Sequence, residues 1–496
     1  MELQKTEFKK TEPKLRFPKN YKVDSTKLAA GRYGTLDTVE IWGDENTYEY
    51  SLRVQGQAAL TLSRLYPDII PRSLADEINE KASLKYINPD RIRELEEETG
   101  HDVIAINKAL EEVVSKEAGS HINKARTSAD TTESATALRL KKSLEVIADS
   151  VENLRDIVLE KSLEWIDTPH MDLTHLYDSE PTVAGRPFSF YAEMLQSSLN
   201  LLKFVYENSI LGKWSDVTGN HHSAKELGID GINLQEEYCK DLGIKSMDAS
   251  AQIPGLEFQA DVMYVMTRFG ETLNNLANYI ALGRGDDLNI FINLNPKRKK
   301  GSSGMPHKDI KGGNPVTEEQ IMSLRNYLVG NMMTSLANCC FPYARNLSAS
   351  ANSRINFEDT FKFFDHAVRN LSNTIYWLGL REERSKERIE RSYGVTNSER
   401  ILTYITDHRK VKDPMIRSEA HNLLGDLSKK AVDGKIQFVD VLLDCKEITD
   451  RIEKDVLRKL ADSSDLYKNI GKSKRIVKIV FDKYHNKKTL GNIGGI

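Results

Sequence analysis

Residues 131–165 contain neither glycine nor proline. Apolar residues recur through this stretch at alternating spacings of four and three, which places them on one face of an α-helix. The members of this apolar stripe are Leu140, Leu144, Ile147, Val151, Leu154 and Val158. Because intrinsic propensity alone does not stabilise so long a helix, its apolar face needs partner helices. The stretch therefore predicts a bundle of long helices.

Other parts of the chain repeat this helical pattern, and none alternates apolar and polar residues well enough to predict a sheet. The further helical segments are 189–206, 258–282, 318–338 and 359–378. The sequence thus predicts an all-α fold around a central long-helix bundle. At roughly 150 residues per domain, the length suggests about three domains. We expect a polar N-terminal extension (1–22), an N-terminal helical domain (23–128), the central bundle domain (129–385) and a C-terminal helical domain (386–496).

Composition excludes several classes of protein. With 70 Lys+Arg against 73 Asp+Glu, the formal net charge is −3, so any anion site must be local and the chain is not a general polyanion binder. No apolar run approaches the roughly 18 residues that a membrane span needs. Residues 1–22 are Lys-rich and lack the apolar core of a signal peptide. We therefore expect a cytoplasmic protein with no membrane partner.

The four cysteines give no sign of a disulfide framework, and the neighbouring pair His221 and His222 gives no sign of a metal site. The four cysteines lack C-x-x-C spacing, and Cys339 and Cys340 are interpreted as small buried apolar side chains. This usage suits a reducing compartment. His221 and His222 would point apart on a helix, so we expect no metal.

Residues 295–315 form the segment with the strongest functional signal. It combines two adjacent serines, Ser302 and Ser303, with glycines at 301, 304, 312 and 313. Its cations, set against the single acid Asp309, are Lys297, Arg298, Lys299, Lys300, Lys308 and Lys311. Glycines permit close backbone approach and unusual conformations. This composition predicts a mobile, anion-handling loop that closes over a substrate.

Three other interpretations of this loop compete with that prediction. A P-loop needs G-x-x-x-x-G-K-[ST], and the spacing after Gly301 does not match it. The basic run 297–300 could be a nuclear-localisation or nucleic-acid patch. A solvated surface loop is common, but it does not account for serines, glycines and a histidine gathered among cations.

The segment Gly301-Ser302-Ser303-Gly304-Met305-Pro306-His307-Lys308, followed by Asn314-Pro315, resembles the signature of the fumarase/aspartase superfamily. The ending Met305-Pro306-His307-Lys308 is similar to that of adenylosuccinate lyases, although carboxymuconate cycloisomerases can share it. Arg32-Tyr33, with Ile41-Trp42 downstream, resembles the opening that contacts the nucleotide in the adenylosuccinate lyase family. That family is therefore the nearest resemblance.

Further segments resemble the same family in the same order along residues 32–485. They are Gly100-His101-Asp102-Val103, Thr127-Ser128-Ala129-Asp130, Thr174-His175 with Glu180-Pro181-Thr182, Gly212-Lys213-Trp214-Ser215, Gln259, the spaced Arg345, Ser350 and Arg354, and Ser398-Glu399-Arg400. The resemblance implies a three-domain, homotetrameric fold in which each active site combines segments of three chains.

The resemblance also implies the reaction, an anti β-elimination that splits a succinyl-amine into fumarate and an amine. Adenylosuccinate would give AMP, and succinylaminoimidazole carboxamide ribotide would react likewise in purine synthesis. By resemblance, Ser302 is the base, His175 the general acid and Glu319 the carboxylate that orients the histidine. No cofactor is implied. The substrate-binding residues implied are Arg32, Tyr33, His101, Asp102, Thr127, Ser128, Gln259, Ser303, Lys308, Asn314, Arg345, Ser350 and Arg354.

Departures from the family pattern leave some assignments open. A histidine usually stands four residues before Thr127, but Asn123 is there, with His121 two residues earlier. Either a short insertion shifts His121 into the role, or Asn123 supplies a hydrogen bond instead. Residues 309–313 lengthen the loop between Lys308 and Asn314, which usually has one residue there. Other candidate functions are an argininosuccinate lyase-like or carboxymuconate cycloisomerase-like enzyme, or a helical scaffold that binds nucleic acid without catalysis.

Overall fold

The computed structural model of the chain describes residues 32–297, 302–340, 343–461 and 469–491. The predicted extension 1–22 lies outside these ranges, as do residues 298–301 of the cation-rich loop. Helices dominate the described residues, which confirms the predicted all-α class.

Short and medium helices form the first described part of the chain. In order they are α1 (Leu36–Trp42), α2 (Asp44–Leu65), α3 (Arg72–Lys81), α4 (Pro89–Thr99), α5 (Asp102–Glu111) and α6 (Lys116–Gly119). Asn88 caps α4 by accepting a hydrogen bond from the Asp90 amide. Gly100 ends α4 in the left-handed region, at φ 64°. This turn places His101 immediately before the first residue of α5.

The central part contains the long helices. In chain order its elements are α7 (Ser128–Glu164), β1 (Pro169–Thr174), β2 (Tyr177–Val183), α8 (Arg186–Asn208), β3 (Leu211–Gly212), α9 (His222–Glu226), α10 (Gly231–Asp241), β4 (Lys245–Ser246), α11 (Glu257–Arg284), β5 (Phe291–Asn293), a 3₁₀ helix (Pro306–Lys311), α12 (Val316–Asn338), α13 (Ser350–Tyr376) and β6 (Leu378–Leu380). Helix α7 packs on α8 and α13, and α11 packs on α12. Every member of the predicted apolar stripe is at most 3% exposed. The predicted long-helix bundle is therefore confirmed.

The prediction of no sheet missed several short strands. β1 pairs with β2 and β5 with β6 in antiparallel fashion, whereas β3 and β4 are parallel. Each pair is a separate two-stranded sheet. β3 to β6 are two or three residues long, which is too short to show a period of two. β1 alternates apolar and polar residues along its six residues, but its partner β2, with Asp178, Ser179 and Glu180 in succession, does not.

The last part of the chain forms a second core. Its elements are α14 (Glu382–Glu390), a 3₁₀ helix (Val395–Asn397), α15 (Ser398–Ile405), α16 (Arg417–Gly434), α17 (Phe438–Leu443), α18 (Lys446–Thr449), α19 (Lys454–Ala461) and α20 (Ser473–Tyr484). Buried apolar residues between 401 and 461 form this core. Helix α20 instead packs on α7 and α8. There the buried Arg155 donates to the Gln196 side chain at 2.6 Å and to the Lys487 carbonyl at 2.8 Å. The domain boundaries at 128 and 385 stay predictions.

The burial expected for the paired cysteines is wrong for Cys340, which is exposed beyond the end of α12, while Cys339 is half-buried. The apolar sequence around them predicted a buried helix, but only part of a helix surface faces a core. Cys239 is the buried cysteine. Within the described ranges, no helix is long and apolar enough to cross a membrane.

Leu154→Ala is expected to lower the free energy of unfolding by about 2–5 kcal/mol, because it leaves a cavity in the packed face of α7. Leu154 is completely buried. The neighbouring Asn153 is exposed on the same helix, so Asn153→Ala is the matched control and should change stability little. Urea unfolding followed by circular dichroism measures both. Equal urea midpoints for the two variants would contradict the burial of the apolar stripe in the packed face of α7.

Candidate active site

A cavity of about 330 Å³ lies beside α7, and we call it the α7 cleft. Residues of α2, α5, α7, the start of α11 and the segment 345–358 line it. Among the predicted substrate-binding residues, it brings together Asp102, Gln259, Arg345, Ser350 and Arg354. These residues come from widely separated parts of the sequence, so the fold gathers them into one site.

Asp102 connects two sides of the α7 cleft. The Arg354 guanidinium donates to one of its carboxylate oxygens at 3.0 Å. The other oxygen lies 3.2 Å from His101 Nδ1, and it accepts the backbone amide of Val103 at 2.8 Å. A carboxylate at the start of a helix also interacts favourably with the helix dipole. Asp102 therefore binds Arg354 and lies beside His101, both of which are predicted to bind substrate.

Glu133 is a cleft residue that the sequence analysis missed. Gln259 Nε2 lies 3.4 Å from its carboxylate. Burial raises the pKa of Glu133, and the nearby cations Arg345, Lys213 and Arg354 oppose that rise. A carboxylate desolvated beside arginines is a feature of functional sites.

Arg139 is the second missed residue, and it lies on the cleft wall. Its guanidinium lies 4.3 Å from the centre of the Trp42 ring, and its Nε donates to the Ile41 carbonyl at 3.0 Å. Burial lowers the pKa of Arg139 to about 10, so the group stays charged at neutral pH. Glu133, Thr136 and Arg139 recur every third residue and all line the cleft. Because α7 carries many other polar residues, this spacing alone does not distinguish the three from the rest of the helix surface.

Arg32 and Tyr33 do not line the α7 cleft. The Tyr33 ring meets the rings of Phe363 and His366 edge-on, with centroids 6.5 Å and 5.6 Å away. Arg32 is exposed. The segment thus lies against α13, the helix whose first turns also supply Ser350 and Arg354.

Thr127 and Ser128 lie at the start of α7, where both are half-buried. The Thr127 amide donates to Asp130 at 2.7 Å. Asp130 is fully buried and pairs with the buried Lys213 at 2.5 Å. In this Thr-Ser-x-Asp segment, the aspartate therefore fixes the helix start and leaves Thr127 and Ser128 nearer the surface.

His121 and Asn123 both lie outside the residues that line the α7 cleft. Asn123 has a left-handed backbone, φ 53°, and its side chain accepts from the buried Gln55 at 3.2 Å. Burial and the nearby Lys124 lower the pKa of His121. Which of the two residues meets the substrate stays an open prediction.

His175 occupies the turn between β1 and β2. Thr174 pairs with Tyr177 across this turn, and both intervening residues, His175 and Leu176, have left-handed conformations. Leu176 and Tyr177 are each 78% exposed. The imidazole predicted to be the acid therefore stands at the exposed tip of a hairpin.

We call residues 295–315 the signature loop. Its last residues are held by hydrogen bonds, and the described residues before them are mostly exposed. Arg284 donates to the carbonyls of Gly312 and Gly313 at 2.9 Å each and to Glu318 at 2.6 Å. Both glycines have positive φ, at 95° and 77°, which other residues rarely adopt. The lengthened segment 309–313 thus forms the end of the 3₁₀ helix and a glycine turn bound to Arg284.

The residues of the signature loop that are predicted to act on or bind the substrate are exposed or half-buried. Ser302 is half-buried, and its Oγ accepts the Met305 amide at 3.1 Å. Ser303 and Lys308 are exposed, and Asn314 is half-buried. In the next helix, Glu318 is buried in its ion pair with Arg284, whereas Glu319 is exposed.

The described residues of one chain place the predicted site residues in separate parts of the molecule. Among the described residues, no hydrogen bond, ion pair or cavity joins His175, Ser302 or Glu319 to the α7 cleft. The described residues also contain no group of His, Cys, Asp and Glu arranged to hold a metal. The described residues of one chain thus carry the α7 cleft, an exposed hairpin tip and an exposed loop as three separate parts.

The chain matches known proteins in sequence. Residues 34–330 match a family model described as "Lyase". The chain is 30% identical over 458 residues to the adenylosuccinate lyase of Methanocaldococcus jannaschii, covering 92% of this chain and 96% of that protein. It is 26% identical over 434 residues to the adenylosuccinate lyase of Bacillus subtilis, covering 88% and 95%.

Solved structures share the fold. A fumarate lyase from Mesorhizobium sp. BNC1 superposes with a TM-score of 0.76 at 18% identity, covering 91% of this chain and 98% of that one. The 3-carboxy-cis,cis-muconate lactonizing enzyme from Pseudomonas putida gives 0.75 at 17% identity, covering 92% and 99%. At these identities the likeness establishes the fold alone. Because the family model covers more than half of the chain and the archaeal relative nearly all of it, the chain belongs to this lyase family of the fumarase/aspartase superfamily.

Proposed function

We propose that this chain is an adenylosuccinate lyase that eliminates fumarate from adenylosuccinate, giving AMP, and from succinylaminoimidazole carboxamide ribotide. The observation that carries this proposal is the sequence similarity to adenylosuccinate lyases along nine-tenths of the chain. As an enzyme of purine synthesis without a membrane-spanning helix in its described residues, it would act in the cytoplasm.

The α7 cleft is suited to the nucleotide part of the substrate. Its volume falls within the range of ligand pockets, about 300–1,000 Å³. Arg345 and Arg354 provide planar guanidinium groups that match phosphate oxygens, and Ser350 adds a hydroxyl donor. Gln259 offers an amide to the polar groups of the base or the succinyl carboxylates. Arg32 and Tyr33, whose segment lies against α13 at Phe363 and His366, would extend this surface.

The elimination needs a base at one carbon and an acid at the departing nitrogen. Ser302 would remove the proton from the carbon beside a succinyl carboxylate, leaving an aci-carboxylate with extra negative charge. The carbon–nitrogen bond then breaks, its electron pair stays on nitrogen, and fumarate forms. Such a carbon acid is weak, so stabilisation of the developing charge by Lys308 and the loop amides would supply much of the help.

His175 would protonate the departing nitrogen. An imidazole titrates near neutrality, so it can hold and deliver a proton at physiological pH. Glu319 would bond to the other ring nitrogen and fix the tautomer. Its neighbour Glu318 is already committed to Arg284, which supports Glu319 for this role.

We propose a homotetramer whose active sites combine segments of three chains. Separation of the hairpin tip, the loop and the cleft within one chain supports this assembly. The described surface also exposes large apolar residues on the bundle helices, among them Phe204 on α8, Tyr264 on α11 and Met333 on α12. Exposed apolar patches of this kind are typical of subunit interfaces.

The deciding experiment is an absorbance and fumarate-release assay of the purified chain with adenylosuccinate, argininosuccinate and carboxymuconate. Elimination from adenylosuccinate with neither other substrate turned over supports the proposal. Turnover of carboxymuconate instead would favour the cycloisomerase, a candidate that the shared fold leaves open. Salt-dependent binding of DNA or RNA without fumarate release would favour the non-catalytic scaffold.

Ser302→Ala is expected to lower kcat by roughly 10²- to 10⁴-fold, the usual contribution of a positioned base, while the Kd for adenylosuccinate changes little. Ser418, exposed on α16, provides the control Ser418→Ala, which should leave kcat unchanged. Steady-state kinetics and equilibrium binding measure these effects. A kcat within twofold of the unmodified enzyme would exclude Ser302 as the base.

Mixing two inactive variants tests whether sites are shared between chains. Ser302→Ala and His175→Ala tetramers, dissociated and reassociated together, should recover about a quarter of normal activity, because random mixing rebuilds that fraction of sites when each group comes from a different chain. Activity is measured before and after mixing. No recovery in mixed tetramers, verified by differently tagged chains, would indicate that both groups come from one chain.

A further inference from the structure

The hairpin that carries His175 has a stiff tip. Two residues, His175 and Leu176, connect the paired Thr174 and Tyr177, with φ values of 54° and 67°. Two-residue turns with both residues left-handed match the natural twist of antiparallel strands. The tip therefore keeps its shape, and the placement of the imidazole depends on how the strands below it are held.

A two-stranded hairpin is only marginally stable by itself, and this one is packed against α14. Met171 of β1 and Ile389 of α14 are both completely buried and contact each other. His170 Nδ1 lies 3.3 Å from the Ser385 hydroxyl. Burial lowers the pKa of His170 to about 4, so this contact is neutral at physiological pH. These contacts hold β1 at the end away from the tip.

The contact nearest to the tip is an ion-pair cluster that we call the Asp178 clamp, formed by Asp178, Arg388 and Arg391. Asp178 lies three residues after His175 on β2. One of its carboxylate oxygens pairs with Arg388, and the other accepts from Arg391 at 3.0 Å. The Arg388 side chain is only 6% exposed. A buried guanidinium needs its partner, because an unpaired buried charge is strongly destabilising, so the clamp fixes the strand firmly.

We propose that the Asp178 clamp positions His175 for proton delivery, so that α14 determines the geometry of an active site to which it contributes no reacting group. The inference rests on the proposed role of His175. In this proposal Asp178, Arg388 and Arg391 are positioning residues, because they act through the strand that follows His175. Misplacing a catalytic group by about 1 Å can lower a rate by roughly 100-fold. Loss of the Asp178 clamp would free β2 only three residues from His175 and so allow the imidazole to shift by such a distance.

Asp178→Asn retains the shape of the side chain and removes its charge. We expect kcat to fall by roughly 10- to 100-fold and KM to change less than about threefold, because the α7 cleft is untouched. Arg391→Ala, at a half-exposed position, should give a smaller fall in kcat without a folding defect. Arg384→Ala is the matched control on α14, since Arg384 pairs with Glu387 of its own helix. Its kcat should stay unchanged.

Complementation separates positioning from general damage to the fold. Asp178→Asn should regain activity when mixed with Ser302→Ala chains but not with His175→Ala chains, because Asp178 and His175 serve the same site. Hydrogen exchange at the amides of residues 170–182 should rise in Asp178→Asn and Arg391→Ala and stay unchanged in Arg384→Ala.

Two results would overturn the inference. The first is a kcat within twofold of normal for both clamp variants. The second is a fall in kcat that mixing with His175→Ala chains repairs as well as mixing with Ser302→Ala chains. If the unmodified chain released no fumarate from adenylosuccinate, the proposed function would fail by itself. Faster hairpin exchange in the clamp variants would then still demonstrate the clamp, whereas unchanged exchange would refute it.

Discussion

Burial of the apolar face of α7 is the interaction on which the rest of the structure depends. Its stripe packs against α8 and α13, and this packing fixes the rotation of the helix about its own axis. The same rotation turns Glu133, Thr136 and Arg139 toward the cleft. The helix start, held by Asp130 and Lys213, sets the position of Thr127 and Ser128. One hydrophobic contact surface thereby places these polar groups along the cleft side of the first part of the helix.

The electrostatics of the cleft come from a few local pairs and not from the overall charge of −3. Carboxylates accompany the cleft arginines: Asp102 binds Arg354, and Glu133 lies near Arg345 and Arg354. Such partners hold guanidinium groups in one orientation before a ligand arrives, which reduces the reorganisation that binding requires. They also weaken nonspecific attraction of anions, so recognition depends on geometry more than on charge.

Sequence reasoning predicted what is encoded locally and missed what depends on packing. The α7 stripe was predictable because a helical period persists over many turns. The β1–β2 hairpin was missed because β2 does not alternate apolar and polar residues, although His175 at its tip was identified by resemblance. Glu133 and Arg139 were missed because only tertiary packing decides which polar residues of a helix face a cleft. The meeting of His175 with Ser302 involves, on our proposal, other copies of the chain, so no spacing within one sequence encodes it.

The anchoring of the signature loop by Arg284 restricts how that loop can travel. Its hydrogen bonds to Gly312 and Gly313, together with its ion pair to Glu318, join the downstream stem to α11 and α12. Any movement of Ser302 relative to α11 must therefore come from residues that precede Gly312. The lengthened segment 309–313 forms the end of the 3₁₀ helix and the glycine turn bound to Arg284, so its added length lies in the anchored part of the loop.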